Sequence, residues 1–249
     1  MIHYHGMPVS GDFEQSTKFS KNRHVLISYS YPAPIEWVSE TCSSFCLDNG
    51  AFALWSKKKV VNWDDYAAWV AKWSRHPRYD WCLIPDIIDG TEEDNKRLVL
   101  KYAKVLKNAV PVWHMHESLE YLDKLCGYFP RVALGSSGEW RHPGTDEWWV
   151  RMGEALAVAC DSDGYPRTRL HGLRMLNPKV FVRMPLTSAD SCNAGVNAGS
   201  KKRFGPYMPK DAHMRASIIA SHTESFNSSP TWERPVPAGR RDESKEEQK

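Results

Sequence analysis

Short apolar runs alternate along this chain with longer amphipathic ones, and the alternation itself predicts an architecture. The runs "MIHYHG", "HVLISYS", "SFCLDNG", "WCLIPDI", "VPVWHMH", "RVALGSSG", "RLHGLRML" and "KVFVRMPLTSAD" are short, bounded by turn residues and rich in branched or aromatic side chains, as buried strands are. Between them, "WDDYAAWVAKWSRH" places Tyr66, Trp69, Val70 and Trp73 at helical spacing. "TEEDNKRLVLKYAKVLK" opens on a capping Thr91 followed by acids. "SLEYLDKLCGYF", "TDEWWVRMGEALAVACD" and "KDAHMRASIIASHTESFN" read as further helices, and "GDFEQSTKFSKN" as a weaker one. Strand–helix alternation implies a parallel sheet with right-handed crossovers. Eight such units over residues 1–232 predict a single-domain α/β fold, a (β/α)8 TIM-like barrel, with an open doubly wound sheet as the alternative. Residues 233–249 contain prolines and many charges and are expected to be a disordered tail.

The 249 residues carry a formal charge of +3, mildly basic and compatible with a local patch for a polyanion. The six cysteines form no CxxC pair and no Cys/His set with zinc-site spacing, so no metal is expected, and the several that sit inside apolar runs are expected to be reduced, buried thiols. The start lacks the pattern of a secretory signal, and no apolar run is long enough to cross a bilayer, which makes the cytoplasm the expected location.

Polar residues concentrate at the ends of the predicted strands. Those ends offer His3, His5 and Gly6; Asp48, Asn49 and Gly50; Asp86 and Asp89; His114, His116 and Glu117; Gly135, Ser136, Ser137 and Gly138; His171 and Arg174; and Ser188 and Asp190. Each has an ordinary reading taken alone: Asp48 before Asn-Gly starts a turn, "GSSG" is a loop, and Asp190 caps a short helix through "SCNAG". Taken together they collect at the face where a barrel does its chemistry. Two carboxylates there can divide the labour of retaining glycosyl transfer, one attacking carbon and the other moving protons.

At these strand ends the chain resembles the tRNA-guanine transglycosylase superfamily, and within it the 7-deazaguanine DNA transglycosylases of phages and bacterial modification islands. "LDNGAF" resembles an Asp-Ser-Gly-Gly-Phe segment and implies that Asp48 shuttles protons, although Asn-Gly-Ala stands where the family has Ser-Gly-Gly. "IPDIIDG" implies that Asp86 reads the guanine edge, and "VALGSSGE" that Gly135 and Ser136 meet the base through their backbone. "SADSCNAG" implies that Asp190 is the nucleophile, and "VWHMHE" puts His114 or His116 where the family has a base-contacting glutamine. The tRNA enzymes' zinc ligands are missing and the chain is short, so DNA is the expected partner and a base such as preQ0 the incoming substrate, with no cofactor. Lys57, Lys58, Lys59, Arg141, Lys201, Lys202 and Arg203 fall in loops of the same face and are candidate phosphate ligands. "GSKKRFGPYMP" adds Phe204 and Tyr207 as candidate stacking groups. A tRNA-acting enzyme remains open. So does a metal-dependent hydrolase of amidohydrolase layout using His3, His5, His114, His171 and Asp190, and a barrel that binds nucleic acid without catalysis.

Overall fold

A computed structural model describes residues 1–200 and 203–233. Nine parallel strands form one sheet: β1 (Ile2–Gly6), β2 (His24–Ser28), β3 (Ser44–Asp48), β4 (Tyr79–Leu83), β5 (Ala109–Val110), β6 (Val112–His114), β7 (Arg131–Gly135), β8 (Arg169–Gly172) and β9 (Ser188–Ser191). β5 and β6 are two halves of one strand, broken at Pro111. Proline has no N–H to donate to a ladder, but its carbonyl still accepts from Ala133 at 2.9 Å. β5 pairs with β4 and β6 with β7, while β1 pairs with both β2 and β9. Eight staves therefore close into a (β/α)8 barrel of one domain.

Ten α-helices lie between or after them among the described residues: α1 (Phe13–Ser20), α2 (Ile35–Val38), α3 (Ala51–Ser56), α4 (Trp63–Trp73), α5 (Glu92–Tyr102), α6 (Leu119–Tyr128), α7 (Asp146–Ala159), α8 (Pro178–Phe181), α9 (Asn193–Asn197) and α10 (Ala212–Glu224). Their starts follow from sequence. Asp12, Asn62, Ser118 and Thr145 each accept a hydrogen bond from a first-turn amide. Thr91 does so within a reciprocal capping box with Asp94.

The strand pleat sorts side chains into two cores. Tyr4, Leu26, Cys46, Trp81, Leu83, Val110, Val112 and Ala133 fill the barrel interior. Their neighbours one residue along, such as Val25, Phe45, Leu47, Cys82, Trp113, Val132 and Ala189, point outward against the helices. Burying each large side chain contributes roughly 1.5–3 kcal/mol. At the foot of the barrel the Tyr4 hydroxyl bonds to Asp80, and the Trp81 indole donates to Tyr4 at 3.2 Å.

Two expectations need correction. The eighth strand does not run through "KVFVRMPLTSAD". Asn177 caps, and Pro178 opens, the short helix α8, whose Val180 and Phe181 pack in the outer core. β9 begins only at Ser188. His3 and His5 do not face the mouth, because inward-facing Tyr4 sends both outward. His5 Nε2 lies 2.9 Å from Glu224 on α10, and His3 Nε2 lies 3.2 Å from the Phe226 carbonyl. Cys192 is exposed, whereas the other five cysteines are buried. All of the expected tail 233–249 except Glu233, and Lys201 and Lys202, lie outside the described residues. No helix among the described residues is long and apolar enough to cross a membrane.

Gly50 ties the fold to the mouth. It sits at φ +75° between β3 and α3, and a Cβ there would lie 2.7 Å from the Ser30 backbone nitrogen. A left-handed backbone costs an L-residue roughly 1–2 kcal/mol before any clash. Gly50→Ala is expected to lower the unfolding free energy by about 2 kcal/mol or more in urea titrations; an unchanged midpoint would contradict this placement.

Candidate active site

The same pleat carries past the core to the C-terminal strand ends. Asp48 lies two residues beyond inward-facing Cys46, His114 two beyond Val112, and Gly135 two beyond Ala133. Asp190 stands one residue beyond outward-facing Ala189. All four turn inward for that reason. They meet at a cavity of about 280 Å³ that is also lined by Ser28, Asn49, Phe52, Asp86, Ser136, Arg174 and Cys192. Asp48, Asp86, His114, Gly135, Ser136 and Asp190, all expected to form the site, are thus in one place.

Asp190 is buried, and its Oδ1 is held from two sides. The Arg174 amide donates to it at 3.0 Å, and His171 Nε2 approaches at 3.3 Å. His171 is wholly buried, and burial pulls its pKa below the usual imidazole value, against the opposing pull of Asp190. A neutral imidazole carries one N–H. The carboxylate accepts it at Nε2, so Nδ1 is left to accept the Ser188 hydroxyl at 2.8 Å. These bonds all fall on Oδ1, which leaves Oδ2 for the cavity.

Asp48 pairs in register with Ser28 of β2 and is half-buried. Burial pushes its pKa up to about 7, assisted by the charges of Asp190 and Asp86 and opposed by hydrogen bonds from Ser28 and the Gly50 amide. A carboxyl group that titrates near neutrality can both give and take a proton at working pH.

Asp86 is clamped on both oxygens. Asn49 Nδ2 donates to Oδ1 at 2.6 Å, and His114 Nε2 lies 2.9 Å from Oδ2. That second contact is Coulombic, since the His114 N–H is not aligned for a hydrogen bond. Burial disfavours charge on His114, but Asp86, and Glu117 behind it, outweigh burial and raise its pKa. Glu117 anchors this corner from below. It accepts the His114 amide and Asn95 Nδ2, each at 2.8 Å, and burial raises its own pKa. His116 stacks on His114, ring centroids 5.5 Å apart, and bonds to Ser137 and the Gly90 carbonyl.

Gly135 leaves room for this arrangement, because a Cβ there would meet Val112 at 3.2 Å and His114 Nδ1 at 3.5 Å. The Ser136 hydroxyl accepts from the Trp148 indole at 2.9 Å, and Ser136 lines the cavity. Lys57, Lys58 and Lys59 are exposed in and beyond the turn that follows α3 and do not line the cavity; Arg203 lines an adjoining groove. Sequence reasoning gave no role to Ser28, Phe52 or Cys192. The only signal for Ser28 was its place at the end of a predicted strand beside the one that carries Asp48. The hydrolase layout finds no support, since no group of three or more His, Cys, Asp or Glu among the described residues could hold a metal.

The raised pKa of Asp48 fixes the sign of a stability effect. Between the ordinary carboxyl range and pH 7 the folded state binds more protons than the unfolded state, so stability falls as pH rises through that window. Asp48→Asn removes this penalty. The full linkage would be about 4 kcal/mol, and water in the cavity reduces it. The variant is expected to be more stable than wild type by roughly 1–3 kcal/mol at pH 8, and the advantage should vanish near pH 4. Equal pH profiles for the two proteins would refute the shift.

No protein-family model matches the chain, and neither does any curated protein. Among solved structures, a protein of Aquifex aeolicus VF5 superposes with a TM-score of 0.52 at 12% identity, over 92% of this chain and 93% of that one. The tryptophan synthase α2β2 complex of Pyrococcus furiosus contributes a chain that superposes with a TM-score of 0.51 at 10% identity, over 89% of this chain and 97% of that one. At such identities the likeness is one of fold: this chain shares the (β/α)8 barrel of these proteins.

Proposed function

We propose that the protein is a DNA guanine transglycosylase, a pentosyltransferase that exchanges guanine in DNA for a 7-deazaguanine of the preQ0 type. The observation that carries this reading is the pair of carboxylates on one cavity with opposite environments. Asp190 is buried and oriented by a neutral imidazole and a backbone amide, with one oxygen open to the cavity. Asp48 is pushed into the neutral range by burial. Such divergence separates a nucleophile from a proton shuttle.

In the proposed reaction Asp190 Oδ2 attacks C1′ of the target deoxyguanosine. The C1′–N9 bond breaks, and its electron pair leaves with guanine, which takes a proton from Asp48. The ester so formed keeps the sugar on the enzyme. Asp48, now a base, removes a proton from the ring nitrogen of the incoming deazaguanine. That nitrogen attacks C1′ and displaces Asp190. Two inversions retain configuration, and one glycosidic bond replaces another, so no redox change or nucleotide hydrolysis is required. Asp86, fixed by Asn49 and His114, accepts from the N–H groups of the purine edge, while the His114 ring and the backbone at Gly135 and Ser136 face the base. A base within a duplex cannot reach this cavity, so it enters flipped or unpaired.

DNA incubated with isotopically labelled guanine or preQ0 and digested to nucleosides is expected to contain the labelled nucleoside. Asp190→Asn should reduce exchange by about 10³-fold or more, a loss of the size seen when a nucleophile is removed, with the fold intact by circular dichroism. Exchange by that variant at near wild-type rate would exclude Asp190 as nucleophile; guanine release without incorporation would assign a hydrolase instead. Protonated Asp48 is needed to release guanine, so kcat/KM for DNA should fall above pH 7 and lose this limb in Asp48→Asn. A limb that persists in the variant would assign the proton transfer to another group.

A further inference from the structure

Two grooves adjoin the cavity, and Arg174 lines the cavity and both grooves. One groove, of about 630 Å³, runs over α3 and the loop after β7 and is lined by Phe52, Trp55, Arg141 and His142. The other, of about 800 Å³, passes Lys179 of α8, Arg203 and His222 of α10. The first groove also contains something that catalysis does not require. Trp55 is 46% exposed and Phe52 45%, with ring centroids 5.9 Å apart, on a six-residue helix whose first turn walls the cavity. Leaving two large rings in water forfeits burial that a short helix could otherwise gain. The Arg174 guanidinium covers the Phe52 face at 4.4 Å, and its Nη2 makes only long bonds, 3.4 Å each, to the Ser136 and Arg141 carbonyls. Trp55 has no such cover among the described residues. The nearby charge is mostly positive: Arg141 and Arg174 line this groove against one acid, Asp89, and Lys57 to Lys59 follow directly on α3.

We infer that DNA crosses the mouth as a single strand, with the base beside the target stacked on Trp55 and the backbone on either side held by Arg141 and Arg174 in one groove and by Lys179 and Arg203 in the other. This rests on the proposed function for its polymer and extends it to a second base-binding position. The physical case is the pairing of an exposed ring with a cationic groove that opens into a base-sized cavity. Stacking is indifferent to sequence, because every base has a π-face, and cations along a groove follow phosphates. A duplex keeps its bases stacked on one another and offers none to Trp55.

The test is fluorescence anisotropy of a short labelled oligodeoxynucleotide with the full chain, as single strand and as duplex, over a salt series and without any free base. The single strand is expected to bind more tightly. Trp55→Ala should weaken it about 5- to 150-fold, the range for one lost stacked base, with the salt slope unchanged and with Trp55→Phe retaining most of the affinity. Arg141→Gln should lower the salt slope by about 0.7, the value for one phosphate on a single strand. Duplex binding as tight as single-strand binding, Trp55→Ala within twofold of wild type, or tighter binding of RNA of the same sequence would each overturn the inference. Because no exchange is read, a protein that binds in this way yet exchanges no base would count against the proposed reaction and not against the strand path.

Discussion

The site depends on one geometric constraint, the two-residue alternation of a β-strand inside a closed barrel. A strand that buries Cys46 within the barrel must present Asp48 on the same side, and one that sends Ala189 outward must turn Asp190 in. The core below is apolar and close-packed, so the first inward position above it meets low dielectric from beneath and an open cavity from above. Carboxylates placed there are withdrawn from bulk water to a degree that no surface loop could impose, Asp48 half-buried and Asp190 buried. The barrel's closure through the broken strand at Pro111 then brings residues separated by more than a hundred positions onto a single rim.

Three carboxylates around so small a space repel one another, and each resolves the conflict differently. Asp86 is compensated by the His114 imidazole and an Asn49 amide. Asp190 is compensated by the Arg174 amide and the His171 N–H, in bonds that also fix its rotamer. Asp48 has the least compensation, and its carboxyl takes up a proton near neutrality. Burial is the main cause of that shift, and the charges of Asp190 and Asp86 add to it. Removing the Asp86 charge would ease the repulsion on Asp48 and move its titration downward. The grooves outside answer this negative core with positive charge, an arrangement suited to drawing a polyanion over the mouth while one neutral base enters the interior.

Most of the fold was legible in the alternation of short apolar and longer amphipathic runs, because a parallel barrel buries its strands on both faces and its helices on one. The failures have local causes. "KVFV" has strand-like composition, but Asn177-Pro178 immediately before it is a helix start, and that signal won. "AFALWS" is too short and too apolar to show helical periodicity, so α3, with Phe52 and Trp55, went unread. The acids were legible as strand-end residues. Their partners were not, because which of Ser28, Asn49, His171 or Arg174 touches which carboxylate is set by strand order and register, and sequence spacing carries neither. His3 and His5 misled for a related reason: parity with Tyr4 was needed to see that they face the helices.

The central claim is that Asp190 and Asp48 act on one sugar carbon from a shared cavity. It is tested most directly by peptide mapping of protein quenched in acid during turnover with DNA. The account predicts a nucleotide-modified peptide whose fragment ions place the mass on Asp190, accumulating when free base is withheld. An adduct on a peptide from another part of the chain, or turnover of the base with no adduct at any time, would contradict it.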